Sequence, residues 1–99
     1  MKTAVAAAFA LGVCEPASSG LGGQTMMLLH IAGPGKTLAL DGSSRAPNRA
    51  VIDFFSKQSS RISGHCAATV PSTPATLDYV LQRYGSMPLS QVLEPAIVL

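Results

Sequence analysis

From Ala4 to Val13 the chain carries no polar side chain. Its alanines, Leu11 and Phe9 favour a helix, and because the stretch is apolar on every face the pattern predicts a helix buried all round. Thr3 is the candidate N-cap. Pro16 is the expected stop, since Glu15, as the residue before a proline, is biased away from helix. Small residues follow from Ala17 to Gly23, with glycine at 20, 22 and 23. They give backbone freedom and close approach, but the spacing is neither that of a P-loop nor of a dinucleotide fingerprint, and it leads toward a strand.

Thr25 to Ile31 is a nearly continuous apolar run of strand length. Gly33-Pro34-Gly35 is a turn signal and Lys36 to Leu40 a second strand, so an antiparallel hairpin is expected. The first strand is apolar on both faces and predicts a covered sheet. Residues 41–47 form a polar loop at the strand's end, where sites are often built. Ala50 to Phe55 reads as a short helix, Lys57 to Gly64 as a polar connection, and Cys66 to Val70 as a third short strand ending at Pro71. Thr73 is the expected cap of a helix whose first residue is Pro74. Leu77, Val80, Leu81 and Tyr84 follow the i, i+3, i+4, i+7 spacing of one buried face, and Gly85 closes the helix. Pro88 opens a last helix with Val92, Leu93, Ala96 and Ile97 as its buried stripe and a kink at Pro95. Ile97-Val98-Leu99 offers no polar or glycine cap, which reads as a protein cut at this point.

Composition narrows the picture. A chain of 99 residues holds one domain at most. Apolar residues at 47% exclude a disordered tail. Charged residues at 12% are few for a small independent domain, so its apolar faces are expected to meet more protein. The net charge is +2, basic residues are scattered, and Trp is absent; nucleic-acid binding has little support. Cys14 and Cys66 are too few for a disulfide framework, and their spacing leaves pairing open. A metal site from Cys14, Cys66, His30 and His65 lacks any tight ligand pair, and adjacent His65 and Cys66 suit one ion poorly. Buried thiols and ordinary histidines are the expectation, with no metal and no cofactor.

Met1-Lys2 followed by the apolar stretch has the outline of a signal peptide. Leu11-Gly12-Val13-Cys14 is close to a lipoprotein cleavage box, although Val13 is bulky for its position. The stretch is too short to span a bilayer, which takes about 20 apolar residues. Targeting peptide and Ala-rich core helix both stand on pattern alone.

The segment from Ala4 to Gly23, with Glu15-Pro16-Ala17-Ser18-Ser19-Gly20-Leu21-Gly22-Gly23 at its end, resembles the early part of gamma-glutamyltranspeptidases, where an Ala-rich helix leads to an E-P-x-S-S-G-[IL]-G-G motif. The likeness runs on in order through the strand at 26–31, Leu40-Asp41-Gly42, Ala46-Pro47, Val70-Pro71, Arg83-Tyr84-Gly85 and Leu93-Glu94-Pro95-Ala96-Ile97. It covers residues 4 to 99. The resemblance implies an α+β fold, part of the Ntn-hydrolase αββα sandwich, here an Ala-rich helix, a β-hairpin, a short strand and two C-terminal helices. Residues 1–99 would be a single partial domain of the large subunit. It also implies a precursor that cleaves itself, so that the new N-terminal threonine of the small subunit attacks a gamma-glutamyl amide such as glutathione. The acyl group then passes to water or to an amino acid. An N-terminal amine can serve as base for its own hydroxyl. No threonine of this chain matches that nucleophile, so no catalytic residue is expected here, and the chain alone is expected to be inactive. Its partners would be the rest of its precursor and a gamma-glutamyl small molecule.

The family's L-D-x-R-E-x-A-P loop supplies an arginine for the substrate α-carboxylate, a task that suits a bidentate guanidinium. Here Ser43 stands at the position of that arginine and Ser44 at that of the glutamate. Arg45 follows two residues later, on the same face of an extended chain but displaced by about 6–7 Å. Arg45 and Ser43 are therefore the candidate substrate-binding residues, with a structural or solvated arginine as the alternative reading of Arg45. Gln24-Thr25 stands where more glycine is common, and Ser72 where glycine is usual. In the family the Ala-rich segment is a helix of the mature fold, which argues against a targeting peptide; localisation stays open, although relatives are often periplasmic or extracellular. Two alternatives remain, a stand-alone non-catalytic remnant and a small exported lipoprotein anchored at Cys14. The strands at 25–31 and 66–70 are expected to leave edges unpaired and to promote self-association of the isolated chain.

Overall fold

The computed structural model describes residues 1–56 and 63–99. Its elements are α1 (Lys2–Cys14), a one-turn α2 (Pro16–Ser19), β1 (Thr25–Ile31), β2 (Lys36–Gly42), α3 (Ile52–Ser56), a 3-10 turn at His65–Ala67, α4 (Thr73–Tyr84) and α5 (Leu89–Ile97). The Lys57 to Gly64 connection lies mostly outside the described residues.

β1 and β2 pair antiparallel in the register Thr25↔Gly42, Leu28↔Ala39 and Ile31↔Lys36. The turn between them needs Gly35, whose φ of 62° is left-handed, and it is closed by the Gly35 amide donating to the Ala32 carbonyl at 3.2 Å. With a period of two, Leu29, Met27 and Leu40 point to the helices, while Met26 and Leu28 point away and are 68% and 80% exposed. The expected covering of both faces is therefore met on one face only. The core is formed by Val5 and Phe9 of α1, Leu29 of β1, Leu77, Val80 and Leu81 of α4, and Val92 of α5. A shortest extent of 19 Å fits one layer of helices, each about 10 Å across, laid on one sheet.

Several expectations change on contact with this packing. The helix starts at Lys2 with Met1 as its N-cap; the Met1 carbonyl accepts the amides of Ala4 and Val5, so Thr3 lies inside the helix and caps nothing. α1 buries only Val5 and Phe9, and Leu11 and Val13 are about half exposed. Pro16 does end α1, but it also opens α2 as its first residue. The third strand expected at 66–70 is not formed. Gly64, at φ 78°, starts a 3-10 turn that commits the Ala67 amide locally to the Gly64 carbonyl, and only Val70 keeps a bridge, to Arg45. The N-cap of α4 is Ser72, not Thr73, because the first helical bond runs from the Thr76 amide to the Ser72 carbonyl at 2.9 Å; the Thr73 hydroxyl instead accepts a bond from Thr25 Oγ1 at 2.9 Å. In α5, Val92 is buried and Leu93 and Ala96 pack on the core, but Ile97 is 76% exposed and leaves the predicted stripe. Cys14 is exposed and Cys66 partly so, and both are free thiols, which corrects the expectation of buried ones. No helix among the described residues is long and apolar enough to cross a membrane.

Candidate functional site

The end of β2 runs against the start of α4, and glycine at position 42 makes the approach possible. A Cβ on Gly42 would collide with Thr76 Oγ1 and the Thr25 carbonyl. Gly42 is accordingly buried, and its carbonyl accepts the Ser72 hydroxyl. Thr76 in turn donates its hydroxyl to the Ser72 carbonyl at 2.9 Å. The Gly23 carbonyl accepts the amides of both Ser72 and Thr73, so the small-residue loop, the strand end and the helix start are tied together.

Beside this junction the chain leaves an open groove of about 720 Å³, walled by the 41–45 loop on one side and by Val70, Ser72, Thr76 and Tyr79 on the other. The loop is held at three points. Asp41 Oδ1 accepts both the amide and the hydroxyl of Ser43. Gln24 Oε1 accepts the amide of Ser44 at 3.2 Å and its hydroxyl at 3.4 Å. Arg45 exchanges backbone bonds with Val70, at 3.2 and 2.8 Å. The Ser43 hydroxyl, and after it the Ser43 amide, stabilise the ionised Asp41 carboxylate and hold its pKa below the ordinary value, against a small opposing effect of desolvation. Asp41 and Arg45 are both exposed side chains on the groove.

Both candidates from the sequence thus line one cavity, but with different freedom. Ser43 donates to Asp41, whereas Arg45 is held by its backbone bonds to Val70 and is an exposed residue on the groove. Sequence reasoning did not place Gln24, Ser72, Thr76 or Tyr79 at the site. For Gln24 and Ser72 a sign was available: each departs from the family's usual glycine, and each bonds the loop in which Ser43 and Ser44 are the other departures.

Among the described residues no three His, Cys, Asp or Glu side chains converge as a metal site would require. His30 bonds Thr37 Oγ1 at 3.1 Å on the hairpin, and His65 and Cys66 sit by a separate small cavity of about 160 Å³ with Phe54 and Phe55.

The backbone defines the class first. It is similar to the crystal structure of Helicobacter pylori gamma-glutamyltranspeptidase, with a TM-score of 0.84 and 37% identity over 97% of this chain and 29% of that one. The match to the Pseudomonas nitroreducens gamma-glutamyltranspeptidase complexed with L-DON has the same TM-score at 34% identity, over 98% of this chain and 30% of that one. These are the neighbours of a mixed helix-and-strand segment of the Ntn-hydrolase fold. Residues 1–99 also match the gamma-glutamyltranspeptidase family along their full length, and the chain belongs to that family. It is 38% identical to the glutathione hydrolase proenzyme of Escherichia coli (strain K12), covering 100% of this chain and 18% of the relative. It is 33% identical to the acylase ACY 1 proenzyme of Pseudomonas sp. (strain V22), over 98% of this chain and 19% of the relative. The chain thus spans less than a fifth of the curated relatives it matches.

Proposed function

We propose that this chain is the donor-binding segment of a precursor that matures into an Ntn acyltransferase, moving a gamma-glutamyl group from glutathione or a related amide to water or an amino acid. The observation that carries the reading is the groove on which Arg45 and the Ser43-bonded Asp41 meet, at the loop where the family resemblance puts its carboxylate ligand. In this reading Arg45 takes the donor α-carboxylate from a position two residues beyond the usual one. Ser43, the other candidate, donates its hydroxyl to Asp41 and orients that carboxylate beside the donor. The nucleophile, the processing site and the second subunit belong to the remainder of the precursor, and the 99 residues alone do not turn over substrate. Mass spectrometry of the expressed precursor tests this: cleavage into two chains, the second starting at a threonine, is expected. An uncleaved protein that still hydrolyses a gamma-glutamyl anilide, or turnover by the 99-residue chain above a mock preparation, overturns it.

A second reading has its own support. Ser43 in place of arginine and 33% identity to an acylase proenzyme favour a different acyl donor within the same chemistry. A panel of amide donors assayed with the processed enzyme separates the two, because the first reading requires that donors lacking an α-carboxylate be poor.

A further inference from the structure

Three consecutive amides of the site loop are held by three different parts of the chain. The Ser43 amide donates to the Asp41 side chain, the Ser44 amide to Gln24 Oε1 at 3.2 Å, and the Arg45 amide to the Val70 carbonyl at 3.2 Å. Of these three acceptors only Gln24 is a side chain from outside the loop. Ser44 offers the same oxygen its hydroxyl as well, at 3.4 Å. The two residues are complementary departures from the family pattern. A glycine at position 24 would have no side chain to accept with, and an ionised glutamate at position 44 no hydroxyl to donate.

Gln24 is itself mounted on a fixed base. On one side of it the Gly23 carbonyl accepts the amides of Ser72 and Thr73. On the other, the Thr25 hydroxyl donates to Thr73 and Thr25 pairs with Gly42 in the hairpin. Residues 23–25, 42–45 and 70–73 are thereby fastened in a closed triangle, whose third side is the Arg45–Val70 bridge and the Ser72 bond to Gly42. Beyond the end of the hairpin, the side between 23–25 and 42–45 is carried by the Gln24 side chain. Without it the Ser44 amide turns to water, and the residue before Arg45 loses its support. Gln24 lines a different cavity, of about 460 Å³, and is not on the wall of the groove that Arg45 lines. We propose that Gln24 is a positioning residue: it fixes residue 44, and so sets the approach of Arg45 to the groove, without touching substrate itself. A guanidinium placed in advance loses less freedom on binding. The role rests on the reading of Arg45 given above.

The test uses the processed precursor that carries this segment and a gamma-glutamyl anilide. Gln24→Met keeps the length of the side chain and removes its acceptor, whereas Gln24→Glu keeps an acceptor. Gln24 is exposed, so neither change opens the core, and self-processing of each variant reports folding. Gln24→Met is expected to raise KM by roughly three- to tenfold, the scale of one hydrogen bond, with kcat little changed. It is also expected to speed hydrogen exchange at the Ser44 amide, and Gln24→Glu to keep both readouts near wild type. In an Arg45→Gln background Gln24→Met is expected to add nothing to KM, because a positioning residue acts through the residue it positions. A wild-type KM in Gln24→Met, a loss in kcat instead, or an effect of full size in the Arg45→Gln background overturns the positioning role while the Arg45 reading stands. Arg45→Gln with the wild-type kcat/KM overturns the Arg45 reading itself, and the positioning role with it.

Discussion

Replacing Gly42 by alanine puts a methyl group into the junction of β2, the glycine loop and α4. The new Cβ collides with Thr76 Oγ1 and the Thr25 carbonyl and lies 2.8 Å from Thr76 Cγ2. Gly42 is not among the glycines at positive φ, so the cost is one of space and not of backbone conformation. Overpacking of this kind costs about 1–3 kcal/mol, and displacing the Gly42 carbonyl from Ser72 adds about 0.5–1.5 kcal/mol. The sum is about 1.5–4.5 kcal/mol of local stability, or roughly a 10- to 1,600-fold increase in opening at one decade per 1.4 kcal/mol. Hydrogen exchange read by mass spectrometry over residues 70–77 follows the amides of Ser72 and Thr73, which bond Gly23, and of Thr76, which bonds Ser72. Combining Gly42→Ala with Thr76→Ala removes two of the three colliding atoms and is expected to restore part of the protection, since the Thr25 carbonyl stays. Exchange in Gly42→Ala within about threefold of wild type, equivalent to ~0.7 kcal/mol, would refute the close packing from which the groove is built.

Three further outcomes are expected. Leu77, fully buried, should lose about 2–5 kcal/mol on truncation to alanine, whereas Ile97→Ala at an exposed position should change urea stability by less than about 0.5 kcal/mol; equal effects would contradict the α5 orientation. Asp41 has a folded pKa below its ordinary 3.8, so the stabilisation it gives the loop is present above that value and is lost as pH falls through the folded pKa. Ser43→Ala should raise the Asp41 pKa toward 3.8 in a carboxyl-detected NMR titration; an unmoved midpoint would deny the Ser43 hydroxyl its role. Finally, the open hairpin face carrying Met26 and Leu28 should drive association of the isolated chain. Leu28→Lys should shift its sedimentation toward monomer, while a wild-type chain that stays monomeric at high concentration would count against this.

The hairpin, the one-face periodicity of α4 and the last helix were legible because their signals are local: a glycine turn between apolar runs, and the spacing of Leu77, Val80 and Leu81. What was not legible depended on long-range competition for hydrogen bonds. Thr73 reads as a cap, but the cap lies one residue earlier at Ser72, and the Thr73 hydroxyl meets Thr25, a residue 48 positions away in sequence. Cys66 to Val70 has strand character, but Gly64 and a local 3-10 turn take the first amides, and only Val70 reaches a partner. α1 is apolar on all sides, and composition alone cannot say that Val5 and Phe9 are the pair facing α4 and α5. At the site, the family resemblance pointed to residues 41–47, and Arg45 and Ser43 both line the groove. That the Ser43 hydroxyl donates to Asp41, and that Gln24 and Ser72 brace the loop, follows from the path of the backbone and is not visible in residue order.

In the proposed function Arg45 holds the carboxylate of the acyl donor. The most direct measurement is kcat/KM for a gamma-glutamyl anilide with the processed enzyme, wild type against Arg45→Gln. Loss of a charge-assisted bidentate contact predicts a fall of roughly 10- to 150-fold, with self-processing unchanged. An Arg45→Gln enzyme that processes itself and keeps the wild-type kcat/KM would contradict the claim.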